Sequence, residues 1–365
     1  MPLQSIVPAD YTALLANKAA LFNSDFAAFL AAPPCVFASE PLHFRLRAEF
    51  RMLHNGQRVD YAMFAAADPK TPVAIDEFPV AVESIYVLMP RLRELLQASN
   101  TLKDGLFQVN FLATLSGKMM VTLIYHHKLG KRWEIAAQSL ADELKVQLIG
   151  RSKGQKVVLD RDWLLEEFEL NGRQLSYQQI EGSFTQPNGA VNRQMLVWAS
   201  QQANGLGGDL LELYCGNGNF TVALAPMFGR VLATEVAKSS VQAAQYNLAA
   251  NGLDNVEVVR LSSEDISAAL AGTKTVKELQ GVDFDQYHFS TIFVDPPRSG
   301  LDALTLDVAR GFEHILYISC NPQSLQENVA ALQATHEITS AAVFDQFPYT
   351  HHLESGLLLK RRQGI

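Results

Sequence analysis

The chain has 365 residues, of which 48% are apolar and 19% are charged, and its formal net charge at pH 7 is −8. This size and composition exclude a disordered or fibrous protein and predict two domains, because the chain is longer than one hydrophobic core usually organises. The first residues show no basic segment followed by an apolar block, and 18 uninterrupted apolar residues occur nowhere, so we expect a cytoplasmic protein without a membrane segment.

The spacing of the cysteines argues against a metal centre. Cys35, Cys215 and Cys320 lie too far apart in sequence for a metal-binding knuckle or an iron–sulfur motif, and their number is odd. We therefore expect free thiols, no metal and no iron–sulfur cluster.

The negative charge is unevenly distributed. Residues 1–180 carry 19 Lys and Arg against 19 Asp and Glu, whereas residues 181–365 carry 11 against 19. The neutral first half contains two small basic patches, one of three arginines that ends at Arg51 and one of lysines beside His126 and His127. Such patches can bind phosphate groups, although a solvated strand edge and a charged loop would give the same pattern.

Helix and strand periodicities are mixed in the first half. Helices are predicted at Tyr11–Leu30, Ile85–Ala98 and Ala136–Leu144. Strands are predicted at His43–Leu53, Phe107–Leu115 and Lys118–Tyr125. Ser116 and Gly117 join the last two strands and predict a hairpin, so we expect an antiparallel sheet with helices packed on it, an α+β domain over residues 1–180.

A group of turn-forming residues, Gln186-Pro187-Asn188-Gly189, precedes a regular alternation of strands and helices. We place a domain boundary near residue 180 and predict a helix at Val191–Ala203. Seven strands are then predicted, at Asp209–Leu213, Arg230–Thr234, Val256–Arg260, Thr291–Val294, His314–Ser319, Ser340–Phe344 and Gly356–Lys360. Strands joined by helical crossovers predict a doubly wound, Rossmann-like α/β domain over residues 181–365.

The first of these strands leads into a glycine-rich loop that contains Gly216 and Gly218. Glycines let the backbone approach a ligand, and Glu235 ends the next strand, where a carboxylate can accept hydrogen bonds from both ribose hydroxyls of a nucleoside. The third glycine of the dinucleotide fingerprint is missing, with Phe220 near its place, which favours S-adenosylmethionine over NAD. Glycines that serve only a tight turn are the alternative.

Two further strand ends carry candidate chemistry. Asp295-Pro296-Pro297-Arg298 follows the fourth strand, and its two prolines stiffen the turn that presents the carboxylate. Arg298 replaces the aromatic residue of similar aminomethyltransferase turns, which suits a pyrimidine carbonyl or a phosphate. Cys320 follows the fifth strand, where α/β enzymes place nucleophiles, and we expect helix-start amides and Arg298 to lower its pKa.

A thiol beside a methyl donor suggests carbon methylation of a pyrimidine. C5 of uracil is a poor nucleophile until a thiolate adds at C6, and the adduct must lose its C5 proton before the thiol can leave. This route requires one cysteine and one general base, for which we nominate Cys320 and Glu354. A buried packing cysteine and an ordinary polar loop before Glu354 are the alternative interpretations.

Together these motifs resemble the RNA uracil-C5-methyltransferase family, in particular its bacterial tRNA (uracil-5-)-methyltransferases, which make ribothymidine at position 54 of the T-loop. The resemblance extends from His43–Arg51 through Ser183–Asn188 and the glycine loop to the C-terminal tail. It implies a class I S-adenosylmethionine-dependent methyltransferase domain with Cys320 as nucleophile and Glu354 as proton acceptor. It also implies that S-adenosylmethionine is bound by Gln186, Tyr214, Asn219, Glu235 and Asp295. The glycine loop adds Gly216 to these expected cofactor-binding residues.

The resemblance also implies that the first half is an RNA-binding domain that holds the T-arm of tRNA, and T-arm-like RNAs such as tmRNA are further candidate substrates. Arg51 and Phe107 become candidates for phosphate and stacking contacts, beside Arg298. We expect no membrane and no obligate protein partner.

Three other functions remain open at this point. Related ribosomal-RNA enzymes often carry a four-cysteine iron–sulfur site, for which this chain lacks the cysteines. Cytosine-C5 RNA methyltransferases usually have a Pro-Cys turn where this chain has Asp-Pro-Pro-Arg. A protein that binds and remodels tRNA, with methylation secondary, is the non-enzymatic alternative.

Overall fold

The structure is a computed structural model that describes residues 6–56, 58–65 and 68–364. The first five residues, on which the expectation about a leader segment partly rests, lie outside these ranges. In chain order, the helices and strands up to residue 180 are α1 (Tyr11–Asp25), β1 (Cys35–Phe37), β2 (Arg47–Asn55), β3 (Arg58–Ala65), β4 (Asp68–Ile75), α2 (Glu83–Ala98), α3 (Asn100–Lys103), β5 (Leu106–Ala113), β6 (Met119–Tyr125), α4 (Lys131–Leu144), β7 (Gln147–Ser152), β8 (Gln155–Val158), β9 (Trp163–Leu170) and β10 (Arg173–Ile180).

The elements after residue 188 alternate between helix and strand. They are α5 (Gly189–Ala203), β11 (Asp209–Leu213), α6 (Asn219–Leu224), β12 (Val231–Glu235), α7 (Lys238–Ala250), β13 (Val256–Arg260), α8 (Ser263–Leu270), β14 (Phe289–Val294), α9 (Ala303–Ala309), β15 (His314–Ser319), α10 (Pro322–Leu332), β16 (His336–Phe344) and β17 (Glu354–Arg361). Short 3-10 helices lie at Pro8–Asp10, Ala225–Met227, Lys277–Leu279 and Phe284–Gln286.

The chain forms two compact units that interleave along the sequence. The first contains Glu40–Phe168, Gln179–Ala190 and residues up to Tyr11, and the second contains Thr12–Ser39, Glu169–Gln178 and the residues from Val191 onward. A single boundary near residue 180 does not describe this division, because segments of the first half pack into the second unit. The assignment of RNA binding to residues 1–180 and of methyl transfer to residues 181–365 stays a prediction.

The first unit contains a seven-stranded sheet in the order β4-β3-β2-β5-β6-β7-β8. Its strand pairs are antiparallel, as expected, except that β6 and β7 run parallel. Helix α4 connects those two parallel strands, which agrees with the need for a crossover between parallel neighbours. The periodic patterns do not indicate β3, β4, β7 or β8. The pair β9 and β10 forms a separate two-stranded sheet.

The second unit contains an eight-stranded sheet in the order β1-β16-β17-β15-β14-β11-β12-β13. Only β17 runs antiparallel to its neighbours. The seven predicted strands are all present, and the doubly wound α/β fold is confirmed. The eighth strand, β1, pairs with β16 at the sheet edge; three residues are too few to show a periodic pattern.

Two element boundaries differ from the sequence pattern for local backbone reasons. Helix α1 ends at Asp25 instead of Leu30, because the N–H groups of Phe29 and Leu30 both donate to the carbonyl of Phe26 and close a tighter turn. Strand β2 begins at Arg47, because the N–H groups of Arg45 and Leu46 donate to the carbonyls of Val80 and Pro187, outside the sheet.

The core of the second unit fixes which strand ends come together. Strands β11, β14 and β15 are almost wholly buried and present apolar side chains on both faces, as parallel strands between two helical layers do. Because β11, β12, β14 and β15 run in the same direction, their carboxyl ends lie along one edge of the sheet. In such sheets that edge is where ligands bind.

We predict that Gly356→Ala destabilises the protein. A β-carbon at Gly356, in β17, would lie 2.6 Å from the nearest ring carbon of Trp198 and 2.9 and 3.0 Å from two others. Overpacking of this kind costs about 1–3 kcal/mol, so the free energy of unfolding measured in urea should fall by that amount. Ser355→Ala is the control, because it removes a buried hydroxyl that has no hydrogen-bond partner among the described residues. Equal destabilisation by the two alanines would contradict the steric argument.

Candidate active site

The loop after β11 is shaped by residues with left-handed backbone conformations. Tyr214, Gly216 and Gly218 have φ values of 61°, 57° and 80°. Such angles are costly for residues with a β-carbon and normal for glycine. A β-carbon built on Gly216 would have no described atom within 4 Å, so open space lies beside this part of the backbone. The loop therefore leaves room for a ligand next to its peptide groups.

Glu235 completes this side of the site. One carboxylate oxygen accepts a hydrogen bond from the N–H of Gly216 at 3.1 Å, and the other accepts from the N–H of Ala237 at 2.7 Å. Each oxygen keeps a second lone pair, so the carboxylate can still accept hydrogen bonds from a diol. A nucleoside ribose beside an open glycine loop fits these residues, and the adenosine part of S-adenosylmethionine contains one.

Asp295 lies at the carboxyl end of β14, next to β11 in the sheet. Leu213 and Val294 are paired across those strands, so Tyr214 and Asp295 follow at the same level. Burial raises the pKa of the Asp295 carboxyl to about 7. Arg298 lies three residues further along the turn and is exposed to solvent.

The turn that carries Cys320 is held by hydrogen bonds on both sides. The Ser319 hydroxyl donates to the carbonyl of Asn321 and accepts from its N–H, both at 3.1 Å. The Asn321 side chain caps α10 by accepting from the N–H of Gln323, and its amide donates to the carbonyl of Arg298 at 2.8 Å. The same asparagine therefore fixes the cysteine turn and connects it to the Asp-Pro-Pro-Arg turn.

Strand register brings Glu354 close to Cys320. Strands β15 and β17 are antiparallel, and their last aligned pair is Ser319 with Ser355. Cys320 and Glu354 are the residues that directly adjoin this pair. The charge of Glu354 acts on the Cys320 thiol, as expected for neighbouring groups. The thiol and the carboxyl group therefore share one site.

The charges of these side chains are coupled. Burial, and then the charge of Asp295, raises the pKa of Glu354 to about 8, while Arg298 acts in the opposite direction. Burial, followed by the charges of Glu354 and Asp295, raises the pKa of Cys320 to about 11, again against Arg298. The expectation of a lowered thiol pKa is therefore wrong. Arg298 has the predicted sign, but burial and two carboxylates outweigh it.

Two predicted cofactor residues have defined local roles. The ring of Tyr214 packs against the core of the second unit, and burial raises the pKa of its hydroxyl group. The side-chain amide of Asn219 forms two reciprocal hydrogen bonds with that of Asn192, each of 2.9 Å. Tyr177 also donates its hydroxyl to the carbonyl of Asn219 at 3.1 Å. Asn219 thus anchors the start of α6, and a cofactor contact of its own stays a prediction.

The remaining predicted site residues belong to the first unit. Gln186 is partly buried in the segment after β10, and its assignment to the cofactor stays a prediction. Arg51 and Phe107 lie together, with the guanidinium carbon 3.5 Å from the centre of the phenyl ring. The ring of Phe107 also lies 4.2 Å from that of the exposed His126. One guanidinium nitrogen of Arg51, Nη1, is buried and has no hydrogen-bond partner among the described residues. The pair therefore combines a stacking surface with an unsatisfied cationic donor.

A break in strand pairing presents the ring of Phe107. Leu106 pairs with Tyr125 and Gln108 pairs with Ile124, so Phe107 is an extra residue that has no partner in β6. Such β-bulges redirect a side chain and often occur beside functional sites. The position of this ring is therefore set by the register of β5 against β6.

The sequence patterns missed two charged residues of the second unit. Glu212 is fully buried within β11, where the pattern indicates only an apolar strand. Lys18, in α1, is bound to the segment before Glu354, and nothing in the helical pattern distinguishes it. The described residues contain no group of three His, Cys, Asp or Glu side chains arranged to hold a metal ion. Of the helices in the described ranges, none has the length and apolar character of a membrane span.

Known proteins resemble the whole chain. A family model for tRNA (uracil-5-)-methyltransferases matches residues 10–362. A tRNA/tmRNA (uracil-C(5))-methyltransferase of Aromatoleum aromaticum is 67% identical over 364 residues, which cover 100% of this chain and 99% of that protein. A protein of the same description from Dechloromonas aromatica is 64% identical over 362 residues, with 99% and 100% covered.

One solved structure shares the fold over nearly the full length. The crystal structure of Pyrococcus abyssi tRNA (uracil-54, C5)-methyltransferase in complex with S-adenosyl-L-homocysteine matches with a TM-score of 0.71 at 21% identity. The match covers 96% of this chain and 83% of that one. At this identity, the likeness is evidence for the fold.

We predict that Glu212→Gln changes how stability depends on pH. Burial, and then the charge of Asp295, raises the Glu212 pKa from 4.5 to about 8. Between these pH values the folded state holds a proton that the unfolded state has lost, so the free energy of unfolding falls as pH rises through this window. Glutamine removes that contribution. Urea unfolding at pH 5 and pH 8 should show the variant gaining at least about 1 kcal/mol relative to the parent, since one pKa unit corresponds to ~1.4 kcal/mol.

The control is Glu337→Gln, a surface substitution in β16 that affects a side chain paired with Arg362. Its stability should follow the parent's pH profile. A constant difference between Glu212→Gln and the parent at all pH values would contradict a neutral buried carboxyl group.

Proposed function

This chain belongs to the tRNA (uracil-5-)-methyltransferase family, and from that premise we propose that it methylates C5 of uridine 54 in the T-loop of tRNA through a covalent Cys320 adduct. The observation that supports the mechanism is the register of β15 and β17, whose last aligned pair, Ser319 and Ser355, directly adjoins Cys320 and Glu354. S-adenosylmethionine supplies the electrophilic methyl group and a positive sulfonium charge.

Cys320 acts first. With a pKa of about 11, its thiol is neutral near pH 7, so a proton must leave as sulfur attacks C6 of the uracil. Asp295, with a pKa of about 7, is partly ionised near pH 7 and acts on the charge of this thiol, so it is the carboxyl group that can accept the proton. The Sγ–C6 bond forms, and the electron pair of the C5–C6 double bond moves toward the C4 carbonyl oxygen, where Arg298 can stabilise the negative charge.

Glu354 acts second. With a pKa of about 8, the Glu354 carboxyl group holds a proton in most molecules near pH 7 and must first release it to solvent. Once C5 has formed its bond to the methyl carbon and the sulfonium–methyl bond has broken, the resulting Glu354 carboxylate removes the C5 proton. The electron pair of that C–H bond restores the C5–C6 double bond, and the Sγ–C6 bond breaks to return the cysteine thiolate. The proton then passes from Glu354 to solvent. A base with a pKa of about 8 is suited to this step near neutral pH.

The RNA specificity is proposed from the relatives. Both curated relatives are named for action on tRNA and tmRNA, so we propose the T-arm of tRNA and the corresponding arm of tmRNA as substrates. In the first unit, the bulged Phe107 is the candidate ring for base stacking, and the partly exposed guanidinium group of Arg51 beside it is the candidate cation for phosphate. Flipped or unpaired loop bases are recognised by such stacking surfaces.

We predict that a T-arm RNA with 5-fluorouridine at position 54 is trapped on the protein when S-adenosylmethionine is present. Fluorine cannot be removed as a proton, so the adduct should survive denaturing electrophoresis. Cys320→Ala should abolish the trapped species. Glu354→Gln should accumulate an adduct on ordinary RNA, because methyl transfer precedes proton removal.

Cys215→Ala is the matched control, because the thiol of Cys215 is buried whereas that of Cys320 is partly exposed. It should trap the fluorinated RNA as the parent does. A protein that only binds or remodels tRNA would give no adduct in any variant, and that result would end the proposal.

We further predict separable RNA-binding roles for Arg51 and Phe107. Arg51→Met should reduce the salt dependence of T-arm binding by about one phosphate contact. Phe107→Ala should weaken binding by about 1–3 kcal/mol with little change in salt dependence, as the loss of one stacked base predicts. Arg58→Met, which removes an exposed arginine paired with Asp60 in the same unit, is the control. Titrations in which all three variants bind like the parent would contradict the assignment.

A further inference from the structure

We propose that Lys18 is a positioning residue for Glu354. The last aligned pair of strands β16 and β17 is Phe344 with Glu354. The segment that connects them, residues 345–353, is called the base loop. Lys18 comes from α1, 327 positions before Asp345, and its ammonium group binds the base loop at both ends.

The ammonium group has three N–H donors, and the base loop supplies three acceptors. Lys18 Nζ donates to Asp345 Oδ1 at 2.7 Å, to the carbonyl oxygen of Phe347 at 3.0 Å and to that of His352 at 2.9 Å. All three N–H donors of Lys18 are therefore used by acceptors within the base loop. Two acceptors lie on the outgoing side of the loop and one on the returning side, so the contacts hold the two sides together.

Burial makes this clamp costly to break. The side chains of Lys18 and Asp345 are only 11% and 1% exposed. Removing one partner of a buried ion pair leaves the other charge uncompensated, so Asp345 depends on this lysine more than a surface carboxylate would. The Asp345 N–H also donates to the carbonyl of Phe37 at 3.0 Å, which ties the outgoing side of the loop to β1.

The returning side of the base loop leads directly to the base. His352, whose carbonyl oxygen is held by Lys18, is two residues before Glu354, and Leu353 between them is buried in the core. The loop also contains a residue in the left-handed region, Tyr349, which has a φ of 62°. Such a conformation is costly for a residue with a β-carbon and persists only when surrounding contacts hold it. Lys18 supplies three contacts to this segment.

The expected consequence is specific to one step. Without the clamp, Glu354 can shift relative to the C5 proton, and a misplacement of about 1 Å can slow a step roughly 100-fold. Cys320 follows β15 and is held by Ser319 and Asn321, so sulfur attack and methyl transfer do not depend on the base loop in the same way. Loss of Lys18 should therefore slow proton removal more than methyl transfer.

This inference rests on the proposed function, and its test uses the full chain with T-arm RNA and S-adenosylmethionine in single turnovers. Two rate constants are measured, formation of the methylated adduct and its decay to free product. For Lys18→Met, decay should be slowed at least about 10-fold, with formation within about 3-fold of the parent, so that adduct accumulates on ordinary RNA. The ratio of the two constants does not depend on how much of the protein is active, so a merely destabilising effect would not change it.

Three further variants keep the test decisive. Asp345→Asn weakens the clamp from the other side and should change the ratio in the same direction, which covers the case in which Lys18→Met does not fold. Lys18→Arg keeps a cation with several N–H donors and should release product faster than Lys18→Met. Lys274→Met removes a lysine from a surface ion pair with Asp265 and should leave both rates unchanged.

The two proposals fail in different ways. If Glu354→Gln accumulates no adduct, the proposed function loses its base. If Glu354→Gln accumulates adduct while Lys18→Met and Asp345→Asn release product at the parental rate, the positioning role is overturned and the proposed function stands.

Discussion

The site depends on one antiparallel strand in an otherwise parallel sheet. Parallel strands bring carboxyl ends to one edge, but β17 runs the other way and so brings an amino end to the same edge. Its first residue is Glu354, and its neighbour in the sheet is the strand that ends before Cys320. Because ladder register is fixed along the whole length of both strands, the residues proposed as nucleophile and base come from distant segments of the chain and meet with little freedom.

Burial determines whether the side chains of Cys320, Glu354 and the neighbouring acids are protonated. Glu212, Asp295 and Glu354 all have raised pKa values because their carboxyl groups are removed from water. Burial, and then the charges of Glu354 and Asp295, raises the pKa of the nearby Cys320 thiol as well, so this thiol is neutral near pH 7. A positive ligand would change this balance, because an opposite charge favours the ionised form of each acid. In the proposed reaction, a cationic methyl donor in the site would therefore favour ionisation of the thiol.

Much of the second unit could be predicted because its signals are local. Buried parallel strands have the pattern of apolar runs, and the residues after them, such as Asp295 and Cys320, stand out by their chemistry. The pKa of Cys320 could not be predicted in the same way, since it depends on carboxyl groups that the fold brings near. Likewise, β1 and the bulge at Phe107 are set by pairing partners, which a periodic pattern does not contain.

The clearest limit on sequence-based prediction concerns which parts of the chain act together. A boundary near residue 180 assigns α1 to the half that is predicted to bind RNA, because helix patterns carry no information about their packing partner. In the structure α1 and β1 pack into the second unit, and Lys18 reaches the loop that ends at Glu354. A lysine in an ordinary helix thus becomes informative only through its three acceptors. The same reasoning applies to Asn192, whose amide pairs with Asn219 although neither sequence neighbourhood indicates the other. Long-range hydrogen bonds between polar groups are therefore the part of this site that periodic patterns cannot predict, because the fold as a whole sets them.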